Sequence, residues 1–493
     1  MDNFREEPFT IRFIKACEKA DDGPAIITET GNCSYRTLLQ MVYAQMEFIA
    51  GTIANESVVA VADQNDAFTY ASFIALNLLG KTWLPVSIRN PEAWNRNILT
   101  NAGSSILLSS KEIELKGIRV LNTSGIHTPQ QCMKPVSVSS QPAYLLFTSG
   151  STGTPKGVPV KNHCLHAFFD FMLGAYEFQA SDRFLQIYEP SFDVSVFVAF
   201  GALFSGAGLY LLPRKKFLFQ EIVQMLELYS ITVLSMVPSV LNYLEPYFKD
   251  LRFEKLRYSF FSGDKLLHAL AEGWSGCIPH ARIINSYGPT ETTIVCSHYP
   301  WNRHQSETES LNGIVPLGKL FPGMHALLID EHKKEVARGE AGELCLSGPQ
   351  VIDEYMGGVS EDEFFECTTS GISRTYFRTG DKVKLHPSGN FLFIGRTDYQ
   401  VKINGYRVEP EETEAVLASL NNHKLCAVIP IKENGGEVLY AFLEGRGDEQ
   451  NLLSQLRKVL PAPSVPRKII FIDTMPMNRN GKIDRQELIK FVK

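Results

Sequence analysis

Between Leu145 and Val158 the chain reads Leu-Leu-Phe-Thr-Ser-Gly-Ser-Thr-Gly-Thr-Pro-Lys-Gly-Val, an apolar run that breaks abruptly into hydroxyls, glycines and a single cation. Gly150, Gly153 and Gly157 permit backbone angles closed to other residues and let main-chain N–H groups approach an anion. Thr148, Ser149, Ser151, Thr152 and Thr154 add hydroxyl donors, and Lys156 adds positive charge. A loop so built suits a polyphosphate. It is not a Walker A loop, because the lysine precedes the last glycine and no Gly-Lys-Ser/Thr closes it. A flexible linker would explain the glycines and serines, but not the apolar run leading into them.

Three further clusters carry groups of the same kind. Ser286-Tyr-Gly-Pro-Thr-Glu-Thr-Thr offers hydroxyls, a turn at Gly288-Pro289 and, in Glu291, a hard oxygen ligand suited to Mg²⁺. A turn followed by a capping glutamate fits it equally. Tyr376-Phe-Arg-Thr-Gly-Asp381 sets an acid after a glycine turn, where two carboxylate oxygens suit vicinal ribose hydroxyls. Asn478-Arg-Asn-Gly-Lys482-Ile-Asp-Arg485 is a turn carrying a lysine. Each alone is ordinary surface chemistry.

The elements that must position these groups follow from periodicity. Helices are expected at 8–20, 38–53, 70–79, 161–175 and 218–228, and strands at 24–28, 58–62, 83–86, 106–108, 144–147, 209–212, 231–235 and 282–285. Such alternation argues for parallel sheets with crossover helices, and ligands of open α/β sheets collect at strand C-terminal ends. From about Val315 the pattern changes to short strands with Gly and Pro turns, at 326–329, 342–347, 381–385 and 390–394, a β-rich subdomain. After Asp398 a small mixed region follows, with helices at 410–420 and 450–459 and strands at 426–431 and 437–443. The expectation is an α/β fold: a large domain over 1–397 with parallel or mixed sheets, flanking helices and a β-rich subdomain, then a small α+β domain over 398–493.

Bulk composition removes several classes. The 493 residues are 44% hydrophobic and 21% charged with formal net charge −6, which leaves no basic footprint for nucleic acid. The first residues lack a signal-peptide layout, and the nine cysteines are scattered without a Cys-x-x-Cys pair. Reduced thiols in the cytoplasm are expected, with no zinc site. Val194–Leu212 is uncharged and near membrane-span length, but its glycines and serines suit a buried helix and strand better.

Taken in order, Ser34-Tyr35, Leu84-Pro85, the 147–157 loop, Phe192-Asp193, 287–291, Gly342-Glu343-Leu344, 376–381, 395–407 and 480–485 resemble the adenylate-forming enzymes: acyl-CoA synthetases, luciferases and the adenylation domains that load carrier proteins. The resemblance covers nearly the whole chain and implies ATP and Mg²⁺ as cofactors. It implies that Thr148, Ser149, Gly150, Ser151, Thr152, Gly153 and Lys156 position the β,γ-phosphates, that Ser286, Tyr287, Gly288 and Thr290 line the nucleotide site, and that Glu291 holds the metal. Asp381 would bind the ribose, Arg396 would contact the nucleotide, Asp398 would be the hinge of a mobile C-terminal domain, and Lys482 would bridge the substrate carboxylate and the α-phosphate.

Asp193 matches the aspartate that pairs with the substrate ammonium group in the family's amino-acid branch. The remaining pocket positions implied are Val194, Phe197, Ser235, Phe260, Ser262, Gly263, Ser286, Ile294 and Val295, to which a small neutral amino acid such as glycine, alanine or serine fits. The texture is similar to stand-alone D-alanine–carrier-protein ligases and free adenylation domains of nonribosomal peptide synthetases. That implies a monomer charging the phosphopantetheine arm of a separate carrier protein. Ser262, where D-alanine ligases tend to have cysteine, argues against D-alanine. Ser87 and Glu354 also depart from the family pattern. An acyl- or aryl-CoA ligase and a non-catalytic binding module are the alternatives; the first would gain if Asp193 did not face the pocket, and the second is opposed by intact Lys156, Glu291, Asp381 and Lys482.

Overall fold

The structure is a computed structural model that describes residues 7–492 apart from 21, 54, 127–128, 130–132, 138, 149–154, 214–217, 359–362, 370, 399, 421–424, 434–435 and 478–482. Two compact units emerge. One comprises Met1–Ser87, Leu99–Leu146 and Gly157–Thr397; the other comprises Ile88–Ile98, Phe147–Lys156 and Asp398–Lys493. The second unit is therefore not a simple C-terminal tail, because two short segments from earlier in the chain belong to it.

The first unit is built on three sheets. A nine-stranded sheet runs, in spatial order, Lys319–Leu320, Ser297–Pro300, Arg282–Tyr287, Tyr258–Phe261, Val233–Met236, Arg183–Gln186, Gly208–Leu211, Pro24–Thr28 and Gly31–Ser34. Its middle is parallel and its outer strands antiparallel. A six-stranded sheet holds Arg119–Asn122, Ile106–Ser109, Val58–Ala62, Thr82–Val86, Pro142–Thr148 and Lys156–Lys161. The β-rich part is an antiparallel sheet of His325–Ile329, Ala341–Ser347, Ile372–Leu385 and Phe364–Thr369, with Phe391–Arg396 added on Ile372–Leu385. The α/β class and the change of pattern after Val315 are as the periodicity implies.

The uncharged stretch from Val194 resolves as the helix Asp193–Phe204 followed by the strand Gly208–Leu211. Every residue from Ser195 to Leu203 is buried, so this helix has no solvent face and needs no amphipathic stripe. Phe200 packs edge-on to Phe9 at 4.9 Å, and Phe9 lies 5.8 Å from Trp83. Burying each such side chain is worth about 1.5–3 kcal/mol. No helix among the described residues is long and apolar enough to cross a membrane.

Several elements escape periodicity. Lys156–Lys161 is a strand at the margin of its sheet, the kind of place where a proline such as Pro159 is tolerated. Gly31–Ser34 is likewise an edge strand, and Ser34 then caps the helix Tyr35–Thr52 by accepting from the Thr37 N–H. In the second unit, Val401–Ile403 and Tyr406–Val408 form a hairpin whose turn is Asn404 (φ 52°) and Gly405 (φ 83°). Asn-Gly with both residues left-handed is the preferred two-residue hairpin turn, so Gly405 has a local structural reason to be glycine. A three-stranded sheet of Cys426–Glu433, Gly436–Glu444 and Lys468–Ile472 completes this region.

Candidate active site

The candidate pocket residues sit on consecutive strands of the nine-stranded sheet. Ser235 pairs in register with Phe260, and Phe260 with Ile284 two residues before Ser286. Residues at one level of a parallel pair share a face, so Ser235, Phe260 and Ser286 point to one side, with Ser262 two residues beyond Phe260. On that side lies the helix Asp193–Phe204, whose Phe197 meets Phe260 edge-on at 5.2 Å. Tyr176 meets Phe260 at 4.9 Å and shares a hydrogen bond with His298 Nδ1 at 2.6 Å. The floor is therefore aromatic, and burial pushes His298 down to about 3.

Asp193 occupies the first turn of that helix, where the N-terminal partial charge favours a carboxylate. Burial raises the Tyr144 hydroxyl well above its ordinary range, and the charge of Asp193 adds to the effect; Tyr188 behaves alike, with Ser235 and Ser262 opposing. Asp193 is thus within electrostatic reach of both tyrosines. Val194 is half-buried, Gly263 is left-handed at φ 84°, and Val295 is buried.

The segment after Ser286 makes a tight return. A Cβ on Gly288 would lie 2.5 Å from Val295 Cα, so only glycine fits there. Thr293 and Ile294 are both left-handed, at φ 58° and 73°, a conformation costly for β-branched residues. Gln350 holds them: its amide donates to the carbonyls of Thr292, Thr293 and Val295 at 3.2, 3.3 and 2.9 Å, while Thr293 Oγ1 donates to Gln350 O at 2.6 Å. Nothing in the spacing marks Gln350 out; its role exists only after the fold.

Glu291 is fully buried and accepts from the Tyr355 hydroxyl at 2.8 Å. Next to Tyr355, the Met356 N–H donates to Gly157 O at 2.8 Å, which ties this segment to the strand that begins at Lys156. Asp381 accepts from Tyr287 Oη at 2.7 Å on one oxygen and from Arg396 at 2.7 Å on the other. The register explains the second bond, since Asp381 and Arg396 face each other across antiparallel strands. Burial, then the Asp381 charge, raises Tyr287 well above the ordinary phenol range. Both Asp381 oxygens keep lone-pair capacity for further donors.

Thr148 Oγ1 is buried with no partner among the described residues, as a phosphate-facing hydroxyl would be. Ser149, Gly150, Ser151, Thr152, Gly153 and Lys482 lie outside the described residues. Thr290 opens the short turn Thr290–Thr292 that carries Glu291. No group of three or more His, Cys, Asp or Glu is placed to hold a metal among the described residues. A buried carboxylate such as Glu291 nonetheless suits Mg²⁺, which takes one or two carboxylates and fills its shell from phosphates and water.

An unpartnered hydroxyl at the end of one strand, a buried glutamate, and an aspartate held by Tyr287 and Arg396 agree with the outcome of comparison. The model of the AMP-binding enzyme family matches residues 13–356, and that of the AMP-binding enzyme C-terminal domain matches 412–482. The chain belongs to the AMP-binding enzyme family. A plipastatin synthase polypeptide of Bacillus subtilis (strain 168) is 30% identical over 490 residues, covering 96% of this chain but 13% of that protein. A second polypeptide of the same synthase is covered over 18% of its length, so the chain spans a small part of these large relatives. Zwittermicin A synthase ZmaJ of Bacillus cereus is 28% identical, with 97% of this chain and 93% of that protein covered. Among solved structures, the Vibrio cholerae adenylation domain AlmE, in complex with glycyl-adenosine-5'-phosphate, superposes with TM-score 0.84 at 24% identity, covering 100% of this chain and 99% of that one. That likeness establishes the fold.

Proposed function

We propose that the chain activates an amino acid with ATP to aminoacyl-AMP, releasing pyrophosphate, and passes the aminoacyl group to the phosphopantetheine thiol of a separate carrier protein. The observation that carries this reading is Asp193 at the head of a buried helix, on the face of the sheet that presents Ser235, Phe260, Ser262 and Ser286. A carboxylate there has an obvious counterpart in a substrate ammonium group. The enclosing rings of Phe197 and Phe260 favour a small, neutral side chain.

In the proposed reaction the substrate carboxylate attacks the α-phosphorus and pyrophosphate leaves. Asp193 anchors the ammonium group and Asp381 accepts from the ribose hydroxyls, with Tyr287 and Arg396 keeping its carboxylate oriented. Lys482 donates to the carboxylate and to the α-phosphate oxygens, where negative charge grows. Thr148, the 149–154 loop and Lys156 hold the β,γ-phosphates, and Ser286, Gly288 and Thr290 border the nucleotide. Glu291 would hold Mg²⁺, which when bound neutralises phosphate charge. Residues 1–397 would form the binding domain, and 398–493 a mobile domain turning about Asp398, so that Lys482 serves the first half-reaction and withdraws for the second. The enzyme would work as a cytoplasmic monomer.

ATP–pyrophosphate exchange over a panel of amino acids and their des-amino analogues tests the reading. Amino acids should support exchange and the analogues should not, while Asp193→Ala should lose amino-acid substrates yet still bind ATP. If the variant keeps the preference for amino acids, the assignment fails and a CoA-ligase activity takes its place. Asp398→Pro fixes φ near −65° and should spare adenylation while sharply slowing transfer. Equal loss in both half-reactions, or loss in neither, would move the hinge elsewhere.

A further inference from the structure

Four neighbouring strands deliver a hydroxyl each to one edge of the large sheet. Ser286 lies on Arg282–Tyr287, Ser262 directly follows Tyr258–Phe261, Ser235 lies on Val233–Met236, and Tyr188 follows Arg183–Gln186 two residues on. All four residues are buried, Tyr188 being 9% exposed. The hydroxyls of Tyr188, Ser262 and Ser286 have no hydrogen-bond partner of good geometry among the described residues. Yet Tyr188 lies close enough to Ser235 and Ser262 for their hydroxyls to act on its own, and within reach of the Asp193 charge. A buried hydroxyl without a partner is costly, so a run of them at one place marks where a polar ligand group belongs.

Under the reading above, Asp193 takes the ammonium group and Lys482 the carboxylate, which leaves the hydroxyls for the substrate's side chain. A wholly apolar side chain would strand them. We infer that Tyr188 is a specificity-determining residue and that, with Ser235 and Ser262, it selects an α-amino acid whose short, uncharged side chain carries a hydroxyl or carboxamide. This inference rests on the amino-acid reading of the site. It adds a residue that the motif around Asp193 does not include, and it narrows the small neutral class to its hydrogen-bonding members. The aromatic wall of Phe197 and Phe260 gives a cationic or anionic side chain no partner, which excludes charged substrates.

Matched pairs of amino acids in ATP–pyrophosphate exchange test it: threonine against valine, serine against 2-aminobutyrate, asparagine against leucine. The wild-type enzyme should prefer the polar member of at least one pair by about tenfold or more in kcat/KM, because the site's hydroxyls go unpaired with the other. Tyr188→Phe keeps the ring and removes the hydroxyl, and should shrink that ratio to about threefold or less, mainly through a higher KM for the polar member. Ser262→Ala, a smaller change, should shift the ratio the same way and gives a second reading should the tyrosine variant fold poorly. Equal use of polar and apolar members by the wild type, or an unchanged ratio in both variants, overturns the assignment of Tyr188. Des-amino analogues serving as well as amino acids would instead bring down the amino-acid reading on which it rests, and the two failures are told apart in the same assay.

Discussion

Two buried carboxylates, one in each unit, are treated in opposite ways. Asp381 has a partner on each oxygen, Tyr287 on one and Arg396 on the other. Glu412, on the helix Pro410–Leu420 and 1% exposed, has no partner for either oxygen among the described residues. Burial first, and the charge of Glu409 second, push Glu412 up to about 8. The lesson concerns ionisation. A guanidinium and a phenol satisfy the Asp381 oxygens and still leave lone pairs for a ligand, whereas the Glu412 carboxyl, buried without such partners, keeps its proton at neutral pH.

Removing the better-served carboxylate should have the largest effect. Asp381→Ala strips the partly buried Arg396 guanidinium of this carboxylate and should destabilise the first unit by about 3 kcal/mol, read by denaturant unfolding. A loss under about 1 kcal/mol would mean that water reaches Arg396 and that the pair is not the support described. Lys482→Ala comes next, with adenylation expected to fall about 10²–10³-fold, as for the loss of one transition-state charge donor. Transfer from supplied aminoacyl-adenylate should persist; unchanged exchange in the folded variant would take Lys482 out of the mechanism.

Gln350→Ala should cost about 1–3 kcal/mol, because the carbonyls of Thr292, Thr293 and Val295 lose a buried donor where the backbone is strained. Calorimetric melting reads it, and an unchanged midpoint would show that the left-handed pair holds itself. Glu412→Gln should have the smallest effect, at most about 1 kcal/mol at pH 5, where the carboxyl is protonated in the folded protein. The sharper readout is pH. With the folded value raised from 4.5 to about 8, the contribution of Glu412 is fully present below about 4.5 and is lost as pH rises through about 8. The variant should flatten that decline. His298 works in the other direction: lowered from 6.5 to about 3, it costs stability progressively as pH falls below about 6.5. Acid should therefore loosen the first unit and alkali the second, and a single common pH optimum for both would break the contrast.

How much of this was legible in the sequence depended on the range of the interaction. The strand Arg282–Tyr287 that carries Ser286 and the apolar helix after Asp193 each show in a few adjacent residues, whereas the glycine turn expected before Asp381 does not form: Gly380, at φ 71°, lies inside the single strand Ile372–Leu385. The Asp381–Arg396 bond does not show locally: both residues stand in recognisable motifs, but their pairing requires the register of two antiparallel strands. Tyr188 and Gln350 left no trace at all. A tyrosine five residues before Asp193 and a glutamine between Pro349 and Val351 repeat with no period, and their partners lie in segments far off in the sequence. Edge strands such as Lys156–Lys161 hid for a different reason, since an edge tolerates the proline and lysines that argue against a strand. Gly405, inside the 395–407 motif, shows the converse, because its hairpin turn alone explains the glycine.

The left-handed pair Thr293–Ile294 bears on any attempt to retune the enzyme. Ile294 is a natural target for such redesign because it is buried among the candidate pocket positions. Its φ of 73°, however, is set by Gln350 and by the close passage at Gly288, not by its own side chain. Glycine at 294 would sit more comfortably than isoleucine, but it would also free the loop to wander and blur the shape of the cavity. Residues 288, 293, 294 and 350 should therefore behave as one inherited block, whose members respond to substitution together and non-additively. Libraries that vary 294 alone would then change the side chain within a backbone that residues 288 and 350 still hold.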